Sequence, residues 1–221
     1  MIPTAGANLN GTPTGLWLEE FAAPYYMFRE KGYEIVVASS TGGPIPIDTA
    51  SMSDPYFTDA AKKLMLAAQA FDTLSHSVKL DTLLFPGDFD ALFIPGGHGA
   101  GVDFVQNAPL KAAIEAMYAA DKIVASVCHG PMCLIECVKP DGTPLVAGKT
   151  VTGFTDSEEA AVAKTDIVPY LIEAKFKEQG ATFEKAADWN PKACADGKLI
   201  TGQNPQSSEA TAELVIKTLS G

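Results

Sequence analysis

The stretch IVASVCHGPMCLIE, residues 123–136, brings a thiol and an imidazole together at the end of an apolar run. Cys128 and His129 are the residue types that nucleophilic catalysis pairs, a sulfur to attack and a base to take its proton. A strand ending at Val127 with Gly130-Pro131 just beyond predicts a tight strand-to-helix turn. Cys128 would stand at its apex, at the amino end of a helix starting near Pro131. The positive end of that helix and its free N–H groups favour thiolate over thiol. Cysteine is also a good small core residue, and Gly-Pro is ordinary punctuation. The chemical reading therefore needs supporting groups elsewhere.

One support is PGGHG at 95–99, directly after the apolar run ALFIP. Consecutive glycines let the backbone come close to a ligand and aim N–H groups at a developing oxyanion, although a plain tight turn has the same composition. A second is the acidic pair Glu19-Glu20 in TGLWLEEFAAPYYMF. Neighbours on a helix diverge by about 100°, so only one of these carboxylates can face inward. Both can also simply be solvated. His129, Cys133 and Cys137 have a helical spacing that suits zinc, yet no fourth ligand stands nearby and the two cysteines sit among Met132, Leu134 and Ile135; no metal is expected. His76 reads as a surface residue and His98 as a group shaping the pocket mouth. Trp17, Phe21, Tyr25 and Phe28 have the spacing of a buried helical face. Asp188-Trp189-Asn190-Pro191 reads as a pocket rim or an ordinary turn.

The elements that must position these groups alternate along the chain. YEIVVAS (33–39), ALFIP (91–95), IVASV (123–127), TVTGF (150–154) and LITGQ (199–203) read as strands. Residues 110–121, 157–180 and 208–221 read as helices, the second interrupted near Pro169. Continuous apolar strands separated by helices imply a mostly parallel sheet covered on both faces, with sites at the carboxyl ends of its strands. Residues 41–90 differ. Four prolines and one short helical run, DAAKKLMLAAQAF, predict an excursion forming a partial lid on a single domain spanning 1–221.

Composition narrows the function. The 221 residues are 47% hydrophobic and 19% charged, enough for a sizeable core. A net charge of −11 opposes a phosphate-binding surface, so nucleic acid is not an expected partner. No run has the length of a membrane span, and MIPTAGANLNG lacks the pattern of a signal peptide; the expected location is cytoplasmic. Three of four cysteines crowd into ten residues, which is no secreted disulfide framework and implies free thiols.

Taken in order, TGLWLEEFAAPYY, ALFIPGGHG, ASVCHGP, GKTVTGFTDSEE and LITGQNPQSS resemble the DJ-1/PfpI superfamily, and within it the Hsp31-like class of glutathione-independent glyoxalases, over nearly the whole chain. The resemblance implies a flavodoxin-like α/β sandwich with a nucleophile elbow at Cys128 and His129 beside it. It selects Glu20 as the carboxylate aimed at the sulfur and Glu159 as the acid behind His129, with Glu158 as the fallback. It places oxyanion contacts on the amides of Gly97 and His129. It also implies a lyase of the glyoxalase III or D-lactate dehydratase type, a small carbonyl substrate such as methylglyoxal, a homodimer, and no need for glutathione, metal or nucleotide. The class normally begins with a full central strand, whereas only MIPTA precedes the linker here. The expectation is a stub: either the chain starts further upstream or the sheet tolerates a shortened element.

Two other classes of function compete. A holdase chaperone would use apolar surface on residues 41–90. A cysteine redox sensor or deglycase would use an exposed, acidic thiol.

Overall fold

The computed structural model describes residues 1–221. In chain order its main elements are α1 (Leu18–Glu30), β1 (Ala38–Ser39), α2 (Asp59–Leu66), α3 (Ala68–Ser75), β2 (Val78–Lys79), β3 (Ala91–Ile94), α4 (Ala108–Ala119) and β4 (Ile123–Val127). They continue with β5 (Thr150–Val151), α5 (Asp156–Ala161), α6 (Ile172–Glu178), β6 (Thr182–Phe183), β7 (Ala193–Asp196), β8 (Leu199–Gly202) and α7 (Ser208–Ser220).

The central sheet runs in the order β3-β4-β8-β7, parallel except for the β7–β8 pair. Strand β4 is buried along its entire length, as its unbroken apolar sequence requires when helices cover both faces. The architecture is a flavodoxin-like α/β sandwich. Parallel pairs β1–β2 and β5–β6 extend it on either side.

Between β1 and β3 lies the amino-terminal stub. The Met1 amine donates to the Val36 carbonyl (2.6 Å), the Ala38 N–H to the Met1 carbonyl (3.0 Å), and the Ile2 N–H to the Phe93 carbonyl (2.9 Å). Residues 1–5 otherwise form no strand. The strand expected over 33–39 is correspondingly reduced to Ala38–Ser39. Extended backbone becomes a strand only where a neighbour completes the ladder: β2 pairs with Ala38–Ser39, and on the other side Met1 alone bonds to this stretch. A cleft of about 860 Å³ opens beside the stub, between Tyr33–Val36 and the amino end of β3. It lies at the opposite end of the sheet from Cys128.

The helix expected over 157–180 divides into α5 and α6 on either side of Pro169. Helices α2 and α3 replace the single helical run expected after residue 58. Residues 41–90 share a second, smaller core with α1, in which Leu64 and Leu74 pack with Leu18 and Phe21. Phe21, Tyr25 and Phe28 are buried. No helix is long and apolar enough to cross a membrane.

Candidate active site

Cys128 stands where β4 stops. Its backbone lies in the left-handed region (φ 61°) and is clamped there by two hydrogen bonds. Its own N–H donates to the Gly202 carbonyl and its carbonyl accepts from the Phe154 N–H, both at 3.0 Å. A non-glycine residue in that region costs on the order of 1–3 kcal/mol, which the surrounding ladder must offset. This geometry lifts the side chain out of the strand toward the loops at the sheet's carboxyl end.

Two features of the elbow differ from expectation. The segment after it is a single 3-10 turn, Gly130–Leu134, and not a regular helix, so the macrodipole expected to favour thiolate is lacking. Cys128 is also buried, as are the other three cysteines. Burial pushes the Cys128 thiol well above its usual range, and Glu20 adds to this only when ionised; the Gly97 N–H pulls the other way. Burial thus favours the thiol, and a thiolate is made by proton transfer to a neighbouring base.

A base for that transfer is adjacent. Cys128 Sγ lies 3.3 Å from His129 Nδ1, and His129 Nε2 lies 2.6 Å from Glu159 Oε2. Glu159 is on α5, one turn past the cap at Thr155, so the loop after β5 carries it to the same end of the sheet as β4. Burial alone would raise its pKa, but the neighbouring His129 and His98 outweigh burial and hold it well below the usual carboxylate range. An ionised Glu159 fixes the proton of His129 on Nε2 and leaves the Nδ1 lone pair facing the sulfur.

Glu158 has a different environment. Its Oε1 accepts from the Trp189 N–H (2.9 Å), Asn204 Nδ2 (2.8 Å) and Gln203 Nε2 (3.1 Å), and its Oε2 from the Thr155 N–H (3.1 Å) and hydroxyl (3.0 Å). It completes a capping box with Thr155 and ties the Asp188–Asn190 turn to α5. Glu158 does not approach His129.

Glu20 enters from the first turn of α1. Its Oε2 accepts the Gly96 N–H at 2.7 Å, Oε1 is buried with no hydrogen-bond partner, and the carboxyl as a whole lies beside the Cys128 thiol. Burial raises its pKa to about 8. A neutral carboxyl with its proton on Oε1 fits both observations: Oε2 keeps the Gly96 N–H, and the O–H is the group left to turn toward the neighbouring sulfur. Glu19, its neighbour, points away and accepts from the Thr58 hydroxyl that caps α2.

The loop after β3 interlocks with the turn before α1. The Trp17 N–H donates to the Gly96 carbonyl (3.3 Å). Gly97 has φ +91°, and a Cβ there would lie 2.3 Å from the Gly15 carbonyl oxygen, so only glycine fits. The N–H groups of Gly97 and His129 donate to no backbone or side-chain oxygen, and that of Gly97 is aimed at the sulfur. An N–H with no oxygen acceptor is a donor available to an anion.

His98 was expected to shape only the pocket mouth. It is buried, its Nε2 lies 2.7 Å from Glu159 Oε1, and its ring centroid is 3.9 Å from that of His129. Burial, with His129 next, lowers its pKa to about 4. Phe154 packs on the His129 ring at 4.4 Å and Trp189 on Phe154 at 5.9 Å, while Trp17 meets Tyr56 at 5.3 Å. His76 is on the surface. The group best placed for a metal is His98, His129 and Glu159, and not the expected His129, Cys133 and Cys137. At 2.6 and 2.7 Å, however, its pairs have the spacing of shared protons; two donors on one zinc, each at about 2.0–2.1 Å, stand wider apart.

Residues 14–218 match the model of the DJ-1/PfpI family. Glyoxalase 3 of Candida albicans is 34% identical over 214 residues, 94% of this chain and 90% of that protein. The crystal structure of glyoxalase III from Candida albicans superposes with a TM-score of 0.88 at 31% identity, covering 98% of this chain and 94% of the other. The Rapid Encystment Protein 24 KDa of Francisella tularensis superposes with a TM-score of 0.91 at 32% identity, covering 99% and 96%. The elbow, the sheet order and these matches over nearly the full length agree: the chain belongs to the DJ-1/PfpI family.

Proposed function

We propose that this protein is a glutathione-independent glyoxalase that converts methylglyoxal, or a related 2-oxoaldehyde, to the 2-hydroxy acid. The observation that carries the reading is the line from Cys128 Sγ through His129 to Glu159, with the Glu20 carboxyl and the Gly97 amide beside the sulfur. His129 Nδ1 takes the thiol proton, and the thiolate adds to the aldehyde carbon to give a hemithioacetal. The N–H groups of Gly97 and His129 hold the resulting oxyanion. A proton then leaves the former aldehyde carbon and is returned to the adjacent carbon by way of an enediol, leaving a thioester on Cys128. His129 and Glu20 are the two groups placed for that shuttle, and a carboxyl titrating near 8 suits it. Water cleaves the thioester, releasing lactate and regenerating the thiol, so the net reaction consumes one water.

The relatives' names support this substrate class. A redox-sensor role requires an exposed, acidic thiol, and the burial of Cys128 weighs against it. The test is lactate formation from methylglyoxal in the absence of glutathione. Wild type should form lactate and Cys128→Ala should not; equal rates for the two would remove the reading.

A further inference from the structure

We propose that His98 is a positioning residue, whose Nε2–H pins the free oxygen of Glu159 so that the other oxygen stays aligned on His129. The inference rests on the reading of Cys128 as nucleophile and His129 as its base. Glu159 has two side-chain partners, His129 at 2.6 Å on Oε2 and His98 at 2.7 Å on Oε1. Glu158 beside it is held by five donors, so its carboxylate keeps its orientation if any one is lost. Glu159 has no such reserve. Without His98, Oε1 would be a buried carboxylate oxygen with no donor, and the group would turn or draw in water to recover one.

The consequence reaches the sulfur through geometry. His129 presents Nδ1 to Cys128 at 3.3 Å only while Nε2 is directed at Glu159, because the two nitrogens belong to one rigid ring. A carboxylate that rotates pulls the ring with it and lengthens the Nδ1 contact. The His98 ring, 3.9 Å from that of His129 and inclined by 42°, also closes that side to water. The one side-chain hydrogen bond of His98 is to Glu159 and none runs to the sulfur, so it acts through Glu159.

Three proteins test this: wild type, His98→Leu, which keeps bulk and removes the donor, and His98→Gln, whose amide N–H reaches about as far as Nε2. Two rates are read, kcat for methylglyoxal and the iodoacetamide alkylation of Cys128 followed by peptide mapping, which needs no substrate. His98→Leu should lose about ten- to hundredfold in both, the range for one hydrogen bond to an ionised group, with KM little changed. His98→Gln should recover most of the loss. Alkylation of His98→Leu at the wild-type rate, or His98→Gln as slow as His98→Leu, would overturn the proposal. If His98→Leu does not fold, His98→Gln and His98→Asn make the same comparison, since the shorter amide cannot reach Glu159, and equal rates for those two overturn it. A wild type that makes no lactate removes the glyoxalase reading alone; the alkylation rates still decide the role of His98.

Discussion

Replacing Glu20 by glutamine should make the protein more stable and less active, and the gain in stability should depend on pH in a defined way. Glu20 is completely buried and titrates near 8 in the folded chain, against an ordinary value of 4.5. Between those values the folded chain holds a proton that the unfolded chain has released, so stability falls as pH rises, by about 1.4 kcal/mol per unit. Below about 4.5 both states are protonated and the penalty vanishes; above about 8 both are ionised and it levels off. At pH 7 it amounts to about 3 kcal/mol. Glutamine keeps the acceptor for the Gly96 N–H and a donor for sulfur but has nothing to titrate, and its second amide hydrogen costs about 1 kcal/mol if unpaired. The net expectation at pH 7 is about 2 kcal/mol in favour of Glu20→Gln, or roughly 4–8 °C in Tm for a chain of this size. Urea melts of both proteins from pH 5 to pH 8 provide the assay, because every other titration cancels in the difference. The gap should widen steadily with pH while lactate formation by Glu20→Gln is largely lost, an amide being unable to shuttle a proton. A constant gap, or one that narrows, would refute the buried neutral carboxyl and with it the hydrogen bond to sulfur.

Three further outcomes follow from the same geometry. Iodoacetamide should label Cys128 before Cys133, Cys137 or Cys194, because only Cys128 has an imidazole nitrogen within 3.3 Å; first labelling of Cys194 would show that His129 does not activate the elbow. Gly97→Ala should lose roughly 2–4 kcal/mol in denaturant unfolding, since the backbone is at φ +91° and Gly15 blocks the new Cβ; a near-neutral result would mean the two loops are not interlocked. Thr155→Ala should cost about 1–2 kcal/mol by removing the capping box of α5, with Thr155→Ser close to wild type, and turnover should fall with it because α5 aims Glu159.

The sequence and the folded site agree where a feature is local, and part where it depends on loops meeting in space. The elbow is legible because a buried strand, a Gly-Pro pair and a cysteine are contiguous, and because β4 needs no partner information to be recognised as an apolar run. The strand over 33–39 is not, because its apolar run says nothing about whether neighbours exist along its length; β2 pairs only with its end, and Met1 bonds to it on the other side. The state of the thiol is hidden for a similar reason. A short motif suggests a helix end and an exposed sulfur, but burial of Cys128 arises from the turn at 15–17 closing on the loop at 96–97, some eighty residues away in the chain. Glu158 and Glu159 are adjacent and chemically identical, so only the α5 cap, which turns one toward Thr155 and the other toward His129, separates them. His98 is the extreme case. Its place in PGGHG marks it as part of a loop, yet its partner is 61 residues away on a different βα unit, and the two meet because parallel strands deliver every such loop to the same end of the sheet. In this fold, then, the elbow cysteine can be read from one segment. The groups around its sulfur, Glu20, Gly97, His129 and Glu159, come from four separate segments that meet at the carboxyl end of the sheet, so a substitution in any of them should be judged first by what it does to the proton on Glu20 or the orientation of Glu159.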